Sequence, residues 1–283
     1  MTTMTAWISP GWGASLAALA VTLAAFAMLW RLSLRKQDCS VVDLYWGFGF
    51  AVIGWIEAVL VGQWTAQRGL FLLLVTVWAV RLGVHLVRRH GAAEAEDPRY
   101  AAMRSADPVG WPKRSFWMVF MLQAVVMWLV ATPVHFALAA SPAGEVAQAF
   151  VTAGIVVFLA GFAVETVADL QIVRFKADPA NRGRLLTTGL FAWSRHPNYF
   201  GETVLWWGLG LFAFGLSGSL WAFAGPALLT WLLIKVSGIP PLEAHLSERP
   251  GFADYAARTS PFIPLPPGRI PGARRMSVDQ GRD

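Results

Sequence analysis

Residues 70–87 read Leu-Phe-Leu-Leu-Leu-Val-Thr-Val-Trp-Ala-Val-Arg-Leu-Gly-Val-His-Leu-Val, an apolar run that two ionisable residues interrupt. A helix needs about 20 such residues to cross hydrocarbon roughly 30 Å thick. Comparable runs recur along the chain. In order they are Gly13–Trp30, Val42–Val61, Leu70–Val87, Phe116–Leu138, Ala147–Leu170, Tyr199–Leu216 and Ser219–Ile234. The sequence therefore predicts an all-α integral membrane protein with about seven transmembrane helices.

The composition supports this class. Of the 283 residues, 56% are apolar and 14% are charged, against about 25% charged in an ordinary soluble domain. A lone cysteine, Cys39, excludes a disulfide framework. The last two runs are separated only by a turn at Ser217 and Gly218, so one broken or re-entrant helix is an alternative to two separate helices.

The basic residues set the predicted orientation. Lysine and arginine cluster after the first, third, fifth and seventh runs, whereas Arg68 is the lone basic residue in the intervening loops. Short cytoplasmic loops carry the excess of positive charge. We therefore expect the N-terminus outside and the C-terminus in the cytoplasm, in a bacterial-type inner membrane. Topology then explains the net charge of +6 without a nucleic-acid partner.

Three regions follow from these patterns. Residues 1–39 hold the first transmembrane helix and a basic loop, and residues 40–265 hold the rest of the membrane domain. Residues 266–283 are basic and rich in proline and glycine, which is typical of a disordered tail.

Ionisable side chains are costly within a membrane and commonly mark a functional site. In this chain most of them lie at the predicted cytoplasmic ends of the helices, which indicates a polar cavity open to the cytoplasm. A helix-terminus role for Asp43 and snorkelling of Arg81 to the interface are the structural alternatives. The residues concerned are Asp43, Tyr45, Arg81, His85, Glu165, Asp169, Asn198, Tyr199 and Glu202.

The most informative stretch is Arg182–Glu202. Pro197 suits the first position of a helix, so the predicted sixth helix begins near His196. Arg184 and Arg195 precede this helix start, whose free backbone N–H groups favour a phosphate or carboxylate. Asn198 and Glu202 follow one turn apart on a common face, with Tyr199 beside them. The stretch therefore predicts a site for an anionic ligand.

These residues resemble the DUF1295 family of bacterial membrane proteins, relatives of the steroid 5α-reductases and of the isoprenylcysteine carboxyl methyltransferases. The resemblance covers roughly residues 40 to 265. It is carried by Asp43–Gly47, Glu96–Tyr100, Asp169, Asn181–Gly183, Ser194–Glu202, Ser237–Glu243 and Thr259–Pro264.

The resemblance implies a seven-helix enzyme that binds NADPH in a cytoplasm-facing cavity and reduces a carbon–carbon double bond conjugated to a ketone in a lipophilic substrate. Similar reductases polarise the ketone with an acid and a tyrosine, but the third run here has Trp78 and no tyrosine. Asp43 and Tyr45 are therefore the predicted catalytic pair. The positions expected to contact the cofactor are Arg81, Asp169, Lys176, Arg184, Arg195, His196, Asn198, Tyr199 and Glu202.

An S-adenosylmethionine-dependent methyltransferase is the alternative, because Arg-His-Pro also occurs in that branch. The arginine-rich loop favours NADPH, since S-adenosylmethionine carries no phosphate. A lipid-binding or transport protein ranks third, because no internal repeat is visible. The expected partners are membrane lipids and a lipophilic small-molecule substrate. No spacing of His, Cys and carboxylates indicates a metal site.

Overall fold

The computed structural model describes residues 10–91, 95–140 and 147–268. These residues form α-helices that short 3-10 and π-helical turns extend or join, and they contain no β-strand. The helices are α1 (Pro10–Lys36), α2 (Leu44–Val61), α3 (Ala66–Gly91), α4 (Pro98–Ala106), α5 (Trp111–Ser115), α6 (Leu122–Val130), α7 (Thr132–Ala139), α8 (Gln148–Ala177), α9 (Pro197–Ser217), α10 (Ala224–Trp231), α11 (Ile239–Leu246) and α12 (Phe252–Arg258). The predicted all-α class is confirmed.

Six helical segments in the described ranges are long and apolar enough to cross a membrane. They correspond to six of the predicted runs, so a multi-pass helical membrane protein is confirmed. The segments are Gly11–Lys36, Cys39–Val61, Ala66–Gly91, Trp111–Val130, Gln148–Ala177 and Leu220–Leu246. The predicted sixth run lies in α9, a helix of 21 residues. Two polar residues, Asn198 and Glu202, lie in its first turns.

Two boundaries show how proline and glycine shape these helices. The predicted run Phe116–Leu138 is divided at Ala131, because Pro133 lies in the first turn of α7 and cannot continue α6. Helix α9 begins at Pro197, close to the predicted start, and it is followed by Gly218 with a left-handed φ of 67°. Most of the predicted tail, 266–283, lies outside the described residues, and the membrane orientation stays a prediction.

The chain divides into two compact units. Unit 1 comprises Met1–Ile155 and Leu209–Pro226, and unit 2 comprises Val156–Gly208 and Ala227–Asp283. The predicted membrane domain 40–265 therefore contributes to both units.

In unit 1, the backbones of α2 and α3 meet at two glycines. A Cβ atom on Gly47 would lie 2.3 Å from the backbone nitrogen of Gly83, so a side chain is excluded there. The same unit buries an ionisable pair, in which His135 Nδ1 lies 2.6 Å from Glu57 Oε1. His135 Nε2 is also 2.8 Å from the carbonyl oxygen of Trp128. A partner for Glu57 was not predicted from the sequence.

In unit 2, the backbones of α8 and α9 are equally close. A Cβ atom on Gly201 would lie 2.5 Å from the backbone nitrogen of Glu165, and one on Gly161 would lie 2.4 Å from that of Leu205. Small residues at a helix crossing permit this approach in membrane proteins. The contact holds Glu165, on α8, beside the first turns of α9, which carry the predicted site residues.

We expect Gly201→Ala to destabilise the protein, because the added methyl group meets the backbone of α8 and both helices have to separate. Overpacking of this kind costs about 2 kcal/mol, which corresponds to a fall in melting temperature of roughly 4 °C. Thermal unfolding in detergent, followed by tryptophan fluorescence, measures the change. Gly69→Ala is the control, because no atom lies within 4 Å of its new Cβ. Equal melting temperatures for the two variants would contradict the close crossing.

Candidate functional site

An open cleft of about 590 Å³ lies in unit 2. Its walls come from the loop after α8 and from the segment that contains α12. Three arginines line it, and none of its lining residues is acidic. The lining residues are Arg182, Gly183, Arg184, Leu185, Thr187, Pro250, Gly251, Tyr255 and Arg258. Such a cleft favours an anionic ligand.

Local hydrogen bonds shape the loop that carries two of these arginines. The side chain of Asp178 accepts a hydrogen bond from the backbone N–H of Ala180 at 2.9 Å, and the amide of Asn181 donates to the carbonyl oxygen of Phe175 at 3.0 Å. Gly183, with φ of 78°, then reverses the chain between Arg182 and Arg184. The left-handed conformation explains the need for glycine at this position.

The opposite wall is held by Tyr255. Its hydroxyl donates to the carbonyl oxygen of Phe191 at 2.6 Å, and burial raises the pKa of the Tyr255 phenol above its ordinary value. Arg258 follows three residues later and lies on the same side of α12. The two walls are also joined directly, because Arg249 Nη1 donates to the carbonyl oxygen of Arg184 at 3.0 Å.

Arg195 does not line the cleft but binds the helices that flank it. Its Nε and Nη2 donate to the two carboxylate oxygens of Glu243 at 2.6 and 3.0 Å. Its Nη1 donates to the carbonyl oxygens of Thr259 at 2.6 Å and Ala256 at 3.2 Å. The guanidinium therefore ties the start of α9 to α11 and α12. Its predicted contact with a cofactor stays a prediction.

His196 belongs to the same cluster. Its Nε2 lies 3.1 Å from Glu243 Oε1, and its ring stacks on Tyr199 with centroids 5.6 Å apart. The buried hydroxyl of Ser194 donates to the carbonyl oxygen of Phe262 at 2.7 Å. The Arg-His-Pro motif thus packs against the segment that follows α12.

The remaining predicted residues of unit 2 lie on α8 and α9. Asp169 is buried on α8, whereas Lys176 is exposed near its end. Asn198 and Glu202 are half-buried in the first turns of α9. Among the nine predicted cofactor contacts, Arg184 is the one that lines the cleft.

Three of the predicted site residues, Asp43, Tyr45 and Arg81, belong to unit 1. Asp43 and Tyr45 have different neighbours. Tyr45 packs edge-on against Phe26 with centroids 5.5 Å apart. Asp43 interacts electrostatically with Arg99 and Arg89. Asp43 ends the 3-10 turn Cys39–Asp43 and Tyr45 lies in the first turn of α2, and their role as a catalytic pair stays a prediction. Arg81 is half-buried on α3.

The sequence analysis gave no role to Tyr255, Arg258 or Glu243. The sequence shows Glu243 as an acidic residue near the end of the last apolar region. Its partner, Arg195, is 48 residues away in the chain, so the pairing is not visible in the local sequence. Among the residues that the structure describes, no three His, Cys, Asp or Glu side chains gather as metal ligands would.

We expect Glu243→Gln to lower stability, because an amide has one acceptor oxygen where Arg195 and His196 use two carboxylate oxygens. Removing one partner of a partly buried ion pair costs about 2 kcal/mol, or roughly 4 °C in melting temperature. Thermal unfolding in detergent tests this. Glu248→Gln, an exposed carboxylate just beyond α11, is the matched control. An unchanged melting temperature for Glu243→Gln would show that the cluster does not hold unit 2 together.

Comparison with known proteins places this chain in a family. An uncharacterised protein of Schizosaccharomyces pombe is 28% identical over 290 aligned positions, which cover 89% of this chain and 79% of the yeast protein. A probable O-methyltransferase of Ustilaginoidea virens, UstE, is 30% identical over 124 positions, 43% of this chain and 41% of that protein. No solved structure matches the chain significantly. Residues 29–259 match the model described as "protein of unknown function (DUF1295)", and the chain therefore belongs to the DUF1295 family.

Proposed function

We propose that this protein is an NADPH-dependent membrane reductase that acts on a conjugated carbon–carbon double bond in a lipophilic ketone. The observation that carries the proposal is the cleft of unit 2, in which Arg182, Arg184 and Arg258 lie together without an acidic neighbour in the lining.

The donor set of the cleft fits the phosphates of NADPH. Each guanidinium presents N–H groups in a planar fork that matches phosphate oxygens, and its charge persists at any physiological pH. A pyrophosphate and a 2′-phosphate together need several such groups, and the cleft supplies three. When bound, NADPH supplies the hydride.

The other residues of unit 2 hold this donor set in place. The cluster of Arg195, His196 and Glu243 fixes α11 and α12 against the start of α9. Arg249 then joins the two walls of the cleft. These contacts orient Arg184 and Arg258 before a ligand arrives, which lowers the ordering cost of binding.

The substrate side of the proposal rests on the membrane-spanning segments. An apolar substrate reaches a multi-pass protein from the lipid, and the basic loops predict that the cofactor cleft faces the cytoplasm of a bacterial-type inner membrane. Asp43 and Tyr45 stay the predicted pair for polarising the ketone.

A methyltransferase that uses S-adenosylmethionine is the second candidate, favoured by the similarity to the probable O-methyltransferase UstE. The charge of the cleft favours the reductase. S-adenosylmethionine has no phosphate and a positive net charge, so it offers the three arginines one carboxylate where NADPH offers a pyrophosphate and a 2′-phosphate.

Titration calorimetry with NADPH, NADH and S-adenosylmethionine tests the proposal. We expect detergent-purified protein to bind NADPH most tightly, and Arg184→Gln and Arg258→Gln each to weaken that binding about tenfold, the effect of losing one charge-assisted hydrogen bond. Binding should also weaken as salt concentration rises.

Arg35→Gln is the control, because it removes the same charge from an exposed site at the end of α1. It should leave NADPH binding unchanged. Tight binding of S-adenosylmethionine without NADPH binding would transfer the protein to the methyltransferase branch. Binding of none of the three cofactors would refute both candidates.

A further inference from the structure

A group of exposed cations surrounds the contact between the end of α1 and α5, in unit 1. In this contact Trp30 Nε1 donates to the carbonyl oxygen of Pro112 at 3.0 Å. The ring of Trp30 also meets that of Phe116 edge-on, with centroids 4.9 Å apart. Exposed cationic residues follow the contact on both helices. They form a basic surface that consists of Arg31 and Arg35 on α1 and of Lys113 and Arg114 on α5.

The basic surface differs from the other arginines of unit 1 in its lack of acidic partners. Arg99 Nη2 lies 2.9 Å from Asp97 Oδ2, and Arg104 Nη2 lies 2.6 Å from Glu96 Oε1. Within the ranges that the structure describes, no cation of the basic surface forms an ion pair with a carboxylate. Its positive charge is therefore available to an anion from outside those ranges.

The loop between α4 and α5 places an apolar side chain next to this charge. Val109 is 93% exposed. The loop is held by two hydrogen bonds, because Asp107 Oδ1 accepts from the backbone N–H of Gly110 and the carbonyl oxygen of Asp107 accepts from that of Trp111, each at 2.9 Å. The first bond also engages the acidic residue of the loop. Exposed apolar side chains beside cations are typical of segments that lie at a membrane interface.

The side chain of Arg114 extends toward the acyl chains. Its Nε donates to Met118 Sδ at 3.5 Å, and Met118 and Trp117 are 56% and 60% exposed within the spanning segment Trp111–Val130. Exposed residues of a spanning segment face lipid. The guanidinium therefore lies where the lipid-facing side of the helix meets the headgroups, and the anionic acceptor at that level is a lipid phosphate.

We propose that the basic surface binds an anionic phospholipid, in the leaflet that the basic loops predict to be cytoplasmic. The headgroup phosphates contact the four cations, and the acyl chains lie along Trp117 and Met118. Charge selects the lipid, because a zwitterionic headgroup brings an ammonium group that the cations repel. Four cations match a lipid with two phosphates, so cardiolipin is the probe. This site concerns unit 1 alone and does not depend on the proposed reductase function.

Native mass spectrometry of the detergent-purified protein tests the proposal. Titration with cardiolipin or with phosphatidylcholine gives the dissociation constant of the first bound lipid, and we expect cardiolipin to bind more tightly. The double variant Lys113→Gln/Arg114→Gln should raise the dissociation constant for cardiolipin about thirtyfold, since each cation near a lipid headgroup contributes a factor of about five. Arg31→Gln/Arg35→Gln, on the other helix of the contact, should have a similar effect.

Arg88→Gln/Lys235→Gln is the matched control. It removes one arginine and one lysine, the same charges as the first variant, from exposed positions near the ends of other helices. Its dissociation constant for cardiolipin should equal that of the unaltered protein. Melting temperatures without added lipid verify folding and should agree among all variants, because every substituted side chain is exposed. Cardiolipin should then raise the melting temperature of the control more than that of the other two variants.

Three results would each overturn the proposal. One is a phosphatidylcholine affinity equal to that for cardiolipin. Another is an equal loss of affinity in the control, which would show that the lipid responds to net charge rather than to this surface. The third is an unchanged dissociation constant for cardiolipin in both variants of the basic surface.

Discussion

The guanidinium of Arg195 makes four hydrogen bonds that join the start of α9 to α11, α12 and the residues after α12. A partly buried ion pair of this kind adds little net stability over an apolar pair, because desolvation offsets the attraction between the charges. It is directional, however, since the two N–H groups of the guanidinium fork each meet one carboxylate oxygen of Glu243. Together with the bonds from Tyr255 to Phe191 and from Arg249 to Arg184, this contact holds the walls of the cleft.

A second constraint comes from the membrane. Hydrocarbon offers no partner for a polar group, so each one in a spanning helix needs a partner within the protein. The pair of Glu57 and His135 in unit 1 meets this need. The side chain of Arg68 donates to Gln63 and to the carbonyl oxygen of Ala140.

The sequence predicted those features that depend on local pattern. Hydropathy located the spanning runs, and Pro197 located the start of α9 within one residue. The sequence did not predict which side chains pair with each other when they are far apart in the chain. Arg195 was predicted as a ligand contact because its partner, Glu243, is 48 residues away and local sequence does not show which acid a buried arginine meets. Tyr100 lies outside the apolar runs, yet the fold of unit 1 connects it to α6 through Gln123.

The charge of the unit 2 cleft bears on the choice between the two proposed enzyme classes. NADPH carries a pyrophosphate and a 2′-phosphate, whereas S-adenosylmethionine carries one carboxylate beside two cationic groups. Three arginines without an acidic residue in the lining therefore suit NADPH better. The similarity to a probable O-methyltransferase favours the other class, but it covers 43% of this chain. A relationship of that extent supports a shared fold more directly than a shared cofactor. The charge of the lining, which acts on the ligand itself, is therefore the stronger of the two arguments.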